Sequence, residues 1–257
     1  MNMMATRIED SPLSMKMDAK ELREVLRGLP SAQLTKMNDA ADEILECYRV
    51  LSKGGLNIVG EVIKGVETFY EWDHYPDGDI YDDETHAQYY YHAHREGEHG
   101  HFHTFLRKKG IKNGVEPVPY DGEEEWPTEE DDILSHLIAI SMDSAGFPIQ
   151  LFTTNRWVTG ENWYDKKDVI DMLDGFIIDH CNPSWPANRW ITAMVVLFRP
   201  QIERLIIARD TAVTDWKAKK PDEDVYEDRD LEVTSQLDIK VEDQIRSIKE
   251  VIEGRLD

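Results

Sequence analysis

The sequence predicts an α+β fold: a central antiparallel sheet of four or more strands, formed by two hairpins and packed with N- and C-terminal helices. Three observations carry this reading. Apolar residues recur at intervals of three and four near the N-terminus and again through the last third of the chain. The middle holds two pairs of strand-like segments joined by short polar turns. Hydrophobic residues make up 40% of the 257, enough to build a core between layers.

Residues 1–17 read as a frayed N-terminus and residues 18–257 as a single α+β domain. Asp18 to Leu29 forms a short helix. Ser31 opens a longer one, in which Leu34, Met37, Ala41, Ile44, Leu45, Tyr48 and Leu51 share a stripe, and Gly54-Gly55 stops it. Leu56 to Ile63 adds a further helical turn or two. Phe69 to Asp83, rich in aromatics, Asp, Gly and Pro, reads as a structured loop. Gln88 to His94 and His99 to Leu106 are strands joined at Arg95-Glu96-Gly97-Glu98. The loop Lys108 to Asp132 carries an acidic run of the kind that is usually solvated. His136 to Met142 and Phe147 to Thr154 flank the turn Asp143-Ser144-Ala145-Gly146. Asp165 caps a helix running through Val169, Met172 and Phe176. After the rigid connector Asn182-Pro183-Ser184-Trp185-Pro186, an amphipathic stretch runs from Ala187 to Lys219 and breaks near Pro200. Pro221 to Asp230 is a loop, and Val241 to Ile252 is the last helix.

A formal net charge of -23 sets the surface against phosphate backbones and anionic membranes. Two cysteines, Cys47 and Cys181, make no disulfide framework and fit a reducing compartment. The longest apolar run, Ile191 to Phe198, is far too short to span a bilayer. The expectation is a cytoplasmic protein without nucleic-acid or membrane partners.

The most informative segment is the first hairpin. Seven of the nine histidines lie between His74 and His103, and five fall in Tyr91-His92-Ala93-His94-Arg95-Glu96-Gly97-Glu98-His99-Gly100-His101-Phe102-His103. Side chains alternate faces along a strand, so His92 and His94 share one face, as do His99, His101 and His103. With a turn at Glu96-Gly97, His92 faces His101, His94 faces His99, and all five imidazoles crowd one side. Glu98 then pairs with Arg95 on the other. His-x-His plus a histidine on the neighbouring strand suits a divalent transition metal, zinc or iron. His92, His94 and His101 are the expected ligands, and His99 and His103 the expected proton-moving groups. A three-residue turn would instead split the two sets between faces and leave a polar surface or a hydrogen-bonding pocket. His92-x-His94 followed by Glu98 also resembles the first cupin motif, but His86 and Phe105 stand where its glycines would fall.

Around the hairpin, a nearby Asp could orient His74, although a lone loop histidine is more often structural. His136, on the same face as Ile138 and Ile140, reads as a core-edge residue. His180 and Cys181 have no paired ligand. Asn-Arg-Trp occurs twice, at Asn155-Arg156-Trp157 and Asn188-Arg189-Trp190. Arg156 and Arg189 are candidates to hold a small anionic substrate near the metal, and equally candidates for structural ion pairs. Trp157, Trp163, Trp185 and Trp190 read as core, or as an aromatic pocket wall.

Several of these stretches together resemble one family. Glu71-Trp72-Asp73-His74-Tyr75-Pro76, the histidine hairpin, Leu151 to Glu161 and Pro183-Ser184-Trp185-Pro186-Ala187-Asn188-Arg189-Trp190 are similar to an uncharacterised family of bacterial proteins, a domain of unknown function. The resemblance covers most of the chain and implies one bacterial domain. It carries no activity, so no catalytic role follows from it. Function therefore rests on the histidines. The first reading is a metal-dependent enzyme acting on a small anionic substrate. The others are a non-catalytic metal carrier or sensor, and a structural protein that docks a partner through the histidine face.

Overall fold

The computed structural model of the protein describes residues 14–255. Residues 1–13 lie outside the described residues, and with them most of the stretch expected to be frayed. Ser14–Met15 is a short strand, β1. It is followed by three helices, α1 (Ala19–Gly28), α2 (Ser31–Lys53) and α3 (Ile58–Val62). Asp18 caps α1 by accepting from the backbone N–H groups of Lys20 and Glu21. Five strands come next: β2 (Tyr75–Tyr81), β3 (Ala87–His92), β4 (Gly100–Arg107), β5 (Leu134–Met142) and β6 (Pro148–Thr154). The chain then forms α4 (Arg156–Thr159), α5 (Lys166–Met172), α6 (Trp185–Leu197), α7 (Arg199–Lys219), β7 (Val233–Asp238) and α8 (Val241–Glu253). The amphipathic stretch breaks at Phe198, just before Pro200, as proline demands.

The seven strands form one sheet in the order β1-β7-β6-β5-β4-β3-β2. All neighbours are antiparallel except β1 and β7, which run parallel, so the sheet is mixed within an α+β fold. Two strands depart from expectation. The segment expected as a structured loop contains β2, an irregular edge strand whose pairing with β3 slips between Tyr75 and Ile80. Pro76, Asp77, Gly78 and Asp79 erase its alternation and mark an edge. The other is β7, which adds to the free side of β6 after a long excursion through helices, a pairing that no local pattern announces.

The two faces of the sheet are unlike. Tyr89, Tyr91, Phe102, Leu106, Ile138, Ile140 and Leu151 enter the main apolar core with residues of α1, α2, α6, α7 and α8. The Tyr89 hydroxyl donates to Asn188 Oδ1 on α6 at 2.6 Å, and Phe102 packs against Trp190. Tyr90, His92, His101, His103, Phe105 and Phe152 point to the opposite face and are buried there, outside that core.

Candidate metal centre

The register of the first hairpin sets the site. His92 lies opposite His101 and Tyr90 opposite His103, the pairing the spacing predicts. Opposed residues of an antiparallel pair point the same way, so these histidines share a face. The turn is wider than expected: β3 ends at His92 and β4 begins at Gly100. His99 already pairs with β5, its N–H donating to the Met142 carbonyl at 2.8 Å. Gly100 permits this tight exit. A Cβ there would stand 2.3 Å from the Tyr91 hydroxyl and 2.7 Å from the His92 carbonyl oxygen.

His92, His94 and His101 come together, each offering a ring nitrogen within 4.8 Å of the other two. This trio is close enough to hold a metal ion. His92 Nε2 and His101 Nε2 are 2.7 Å apart, a hydrogen bond between imidazoles. His101 turns its other nitrogen, Nδ1, to Glu98 Oε1. An ionised carboxylate only accepts, so His101 carries its proton on Nδ1 and keeps the Nε2 lone pair for the centre. Nitrogens on one tetrahedral ion stand about 3.3 Å apart, so loading would part His92 from His101 slightly and draw His94 in. His94 reaches the trio from the loop, its ring stacked under Trp72 at 4.1 Å between centroids.

Electrostatics suits cation binding. Burial, reinforced by the neighbouring imidazoles, depresses His92 to about 2 and His94 to about 4. His101 is also lowered, by burial against the opposing pull of Glu98. The ligands are therefore neutral in ordinary buffers, the form that donates to a metal. Burial alone would push Glu98 up. The hydrogen bond from His101 and the charge of Arg95 outweigh it and hold this carboxyl below its usual range.

Behind the trio lies a second buried pair. His103 Nδ1 is 3.0 Å from His136 Nε2, and His103 Nε2 has no hydrogen-bond partner. The expectation that His136 shares a face with Ile138 and Ile140 is corrected. The β4–β5 register shifts between Thr104 and Phe105, placing His136 opposite Phe105 on the histidine face. The His136 N–H donates to Glu161 Oε2 at 2.6 Å. Glu161 is fully buried, and burial pushes its carboxyl up to about 7 against the pull of Arg209.

Other expected site residues sit elsewhere. His99 does not join the face: it is exposed, and its Nδ1 meets the Tyr91 hydroxyl at 2.7 Å. Tyr91 belongs to the helix-side core, and the loop, wider than a four-residue turn, frees His99 to follow it. His86 lies at the far end of β3, 2.5 Å from the Tyr81 hydroxyl. Arg156 is buried, donating to the Glu161 carbonyl at 3.0 Å and to Glu227 at 2.5 Å. Arg189 pairs with both oxygens of Glu43, at 3.2 and 3.1 Å, within the helix layer. Of the two roles open to these arginines, the geometry fills the structural one. The Asn-Arg-Trp asparagines are likewise buried anchors: Asn155 donates to the Val225 carbonyl and Asn188 to those of His180 and Asn182. His74 is held by Asp79, not Asp73, at 3.1 Å and stacks on Tyr90 at 3.6 Å.

Glu98 is the main correction at the site. The two-residue turn would put it on the far side with Arg95, but the wide loop folds both toward the histidines. Its Oε1 orients His101 rather than joining the ligands, and the sheet is open, so the cupin likeness ends at the His-x-His spacing. Arg95 was expected only as the partner of Glu98, and no spacing singles out Glu161.

A family model described as a domain of unknown function (DUF6969) matches residues 38–239. The chain belongs to that family. The matched span of this DUF6969 protein runs from α2 to the end of β7 and contains the whole histidine face. No curated protein and no solved structure matches the chain. Among the described residues, no helix is long and apolar enough to cross a membrane.

Proposed function

We propose that this DUF6969 protein binds one divalent transition metal ion, zinc or iron, through His92, His94 and His101, and is a metal-dependent enzyme acting on a small anionic substrate. One observation carries the metal reading: three neutral imidazoles converge within 4.8 Å, one of them oriented by a buried carboxylate. When bound, the ion would supply Lewis acidity. The chain's own part is positional and protonic. Glu98 fixes the tautomer of His101. His103, buried against the trio with an unpartnered Nε2 and backed by His136, is the group placed to hold or pass a proton. A cavity of about 1180 Å³ lies beyond His74, whose ring stands 5.7 Å edge-on from His92; none of the three ligands lines it. A net charge of -23 supports a setting without nucleic-acid partners.

A carrier or sensor is the second reading. His94 favours it: this ligand lies on a loop, half-buried, under an exposed Trp72. Such a ligand can leave without disturbing the strands.

The test is metal content. Protein purified without a histidine tag or nickel resin is compared by elemental mass spectrometry with the triple variant His92→Ala/His94→Ala/His101→Ala. Near one ion per chain in the parent and none in a folded variant is the expected result. A parent that stays empty after exposure to zinc, iron(II), manganese and copper ends the metal reading. Transfer of the ion to a chelator within seconds would favour the carrier over the enzyme.

A further inference from the structure

Two polar side chains beside the trio each leave a buried atom without a hydrogen bond, and both line the same cavity. Arg95 sits on the loop between β3 and β4, with its guanidinium 4.1 Å above the Phe152 ring. The same ring packs edge-on against His101 at 5.2 Å, so Arg95 and the metal ligand share one aromatic support. Arg95 Nη1 is shielded from solvent and makes no hydrogen bond. Its nearest carboxylate oxygen, Glu98 Oε2, is 3.6 Å away, beyond hydrogen-bond reach, while the other Glu98 oxygen is taken by His101. Ser141 is the second group. It stands directly opposite His101 in the β4–β5 pair, is 2% exposed, and its Oγ lies beside the Glu98 carboxylate without a well-aligned hydrogen bond.

A buried guanidinium donor and a buried hydroxyl left open are each costly, and in native structures such atoms are usually met by water, an ion or a ligand. Both residues line a cavity of about 630 Å³. Most other carboxylates of that lining are less withdrawn: Glu96, Asp238 and Glu242 are exposed. Asp143 is occupied by its own turn, accepting from the N–H groups of Ala145 and Phe147. The deep groups are the Arg95 cation, the Ser141 hydroxyl and the Glu98 carboxylate, which offsets one positive charge and engages His101 through its Oε1; a bound ion would add positive charge beside them.

We infer that Arg95 and Ser141 form a binding site for one oxyanion group, a carboxylate or a phosphate, of the molecule that the centre engages. Arg95 would supply the charge-assisted donor and Ser141 the neutral one, on the side of His101 away from His92 and His94. The inference rests on the metal reading for the identity of its neighbour, but the anion contact itself is a property of Arg95 and Ser141.

The test is titration calorimetry on the full chain with inorganic phosphate and, separately, with acetate. It uses zinc-loaded and zinc-free protein, with zinc per chain measured on every sample. The expected result is one anion bound per zinc-loaded chain. Arg95→Gln should weaken binding about 10- to 100-fold and Ser141→Ala about 3- to 10-fold, with zinc content unchanged in Ser141→Ala. The Ser141 variant removes one atom and keeps the test meaningful if Arg95→Gln folds poorly. Preference for phosphate or acetate identifies which oxyanion the site takes. Zinc-loaded parent that binds neither anion, or binding indifferent to both substitutions, overturns the inference and leaves the metal reading intact. Parent that takes no zinc yet binds an anion through Arg95 and Ser141 does the reverse.

Discussion

Glu98 accepts the Nδ1 proton of His101, and this one contact decides that His101 shows a lone pair, not a proton, to His92. The orientation of a metal-binding histidine is commonly set this way, and losing the orienting group weakens metal binding about 10- to 100-fold. Glu98→Ala should show a loss of that size in zinc affinity, measured by competition with a chromophoric chelator. Glu98→Gln should be no better, although it is nearly isosteric. Its amide can donate to Nδ1, which would move the imidazole proton to Nε2 and block the donor atom. A Glu98→Gln protein with parental zinc affinity would remove the orienting role.

Glu161 makes a stability prediction with a definite sign. Its folded pKa, pushed up to about 7 by burial, lies above the usual carboxylate value of 4.5. Below pH 4.5 the carboxyl is protonated in both states and the shift costs nothing. Between pH 4.5 and 7 the unfolded chain ionises first, so stability falls as pH rises, and the full penalty is present above pH 7. Its size is about 3 kcal/mol. Glu161→Gln can still accept from the His136 N–H, and should flatten this part of the pH profile and stabilise the protein at pH 8 in urea titrations. A profile unchanged by the substitution would count against the shift.

Gly100 is the one position in the hairpin with no room for a side chain. Gly100→Ala would drive a methyl into the Tyr91 hydroxyl and the His92 carbonyl oxygen, and the latter is backbone that cannot swing aside. A loss of about 2–3 kcal/mol in stability is expected, together with weaker zinc binding, because His92 and His101 flank the displaced atoms. Chemical denaturation and zinc titration of the same variant would show both effects.

Arg156 separates structural from substrate-binding arginines. Its partners, Glu227 and the Glu161 carbonyl, are internal. Arg156→Ala should cost about 2–4 kcal/mol in stability, since Glu227 loses its cation. Zinc content and anion affinity should be unchanged in the folded fraction. A selective loss of anion binding with parental stability would return Arg156 to the site.

The sequence was most legible where periodicity and pairing rules act locally. The helices from Asp18 to Lys53, both hairpins, the cap at Asp165 and the break before Pro200 follow from residue patterns alone. So does the pairing of His92 with His101, because strand alternation and a nearby turn leave few registers. Long-range pairing was hidden: β7 joins β6 from across four helices, and β2 is masked by Pro76 and Gly78. At the site, the error came from the turn. Extending the ladder through His94 and His99 assumes a tight hairpin. The actual loop lets Glu98 and Arg95 fold inward and His99 fold out. The bulge near Thr104 had a similar effect on His136. Loops and bulges change which way a side chain points without leaving a pattern in composition.

The division of the sheet into an apolar face and a histidine face has a bearing on how this protein can vary. On β3 and β4, neighbouring residues answer to different demands: Tyr89, Tyr91 and Phe102 to the packing of the helices, Tyr90, His92, His101 and His103 to the opposite face. Substitutions on the second set leave the packing against the helices untouched, so the histidine face can change while the apolar face stays fixed. The converse is a vulnerability. Slipping β3 by a single residue would bury imidazoles among the helices and turn tyrosines outward, abolishing fold and site in one step. Strand register is thus the inheritance that both share, and the apolar half of each strand stands guard over the polar half.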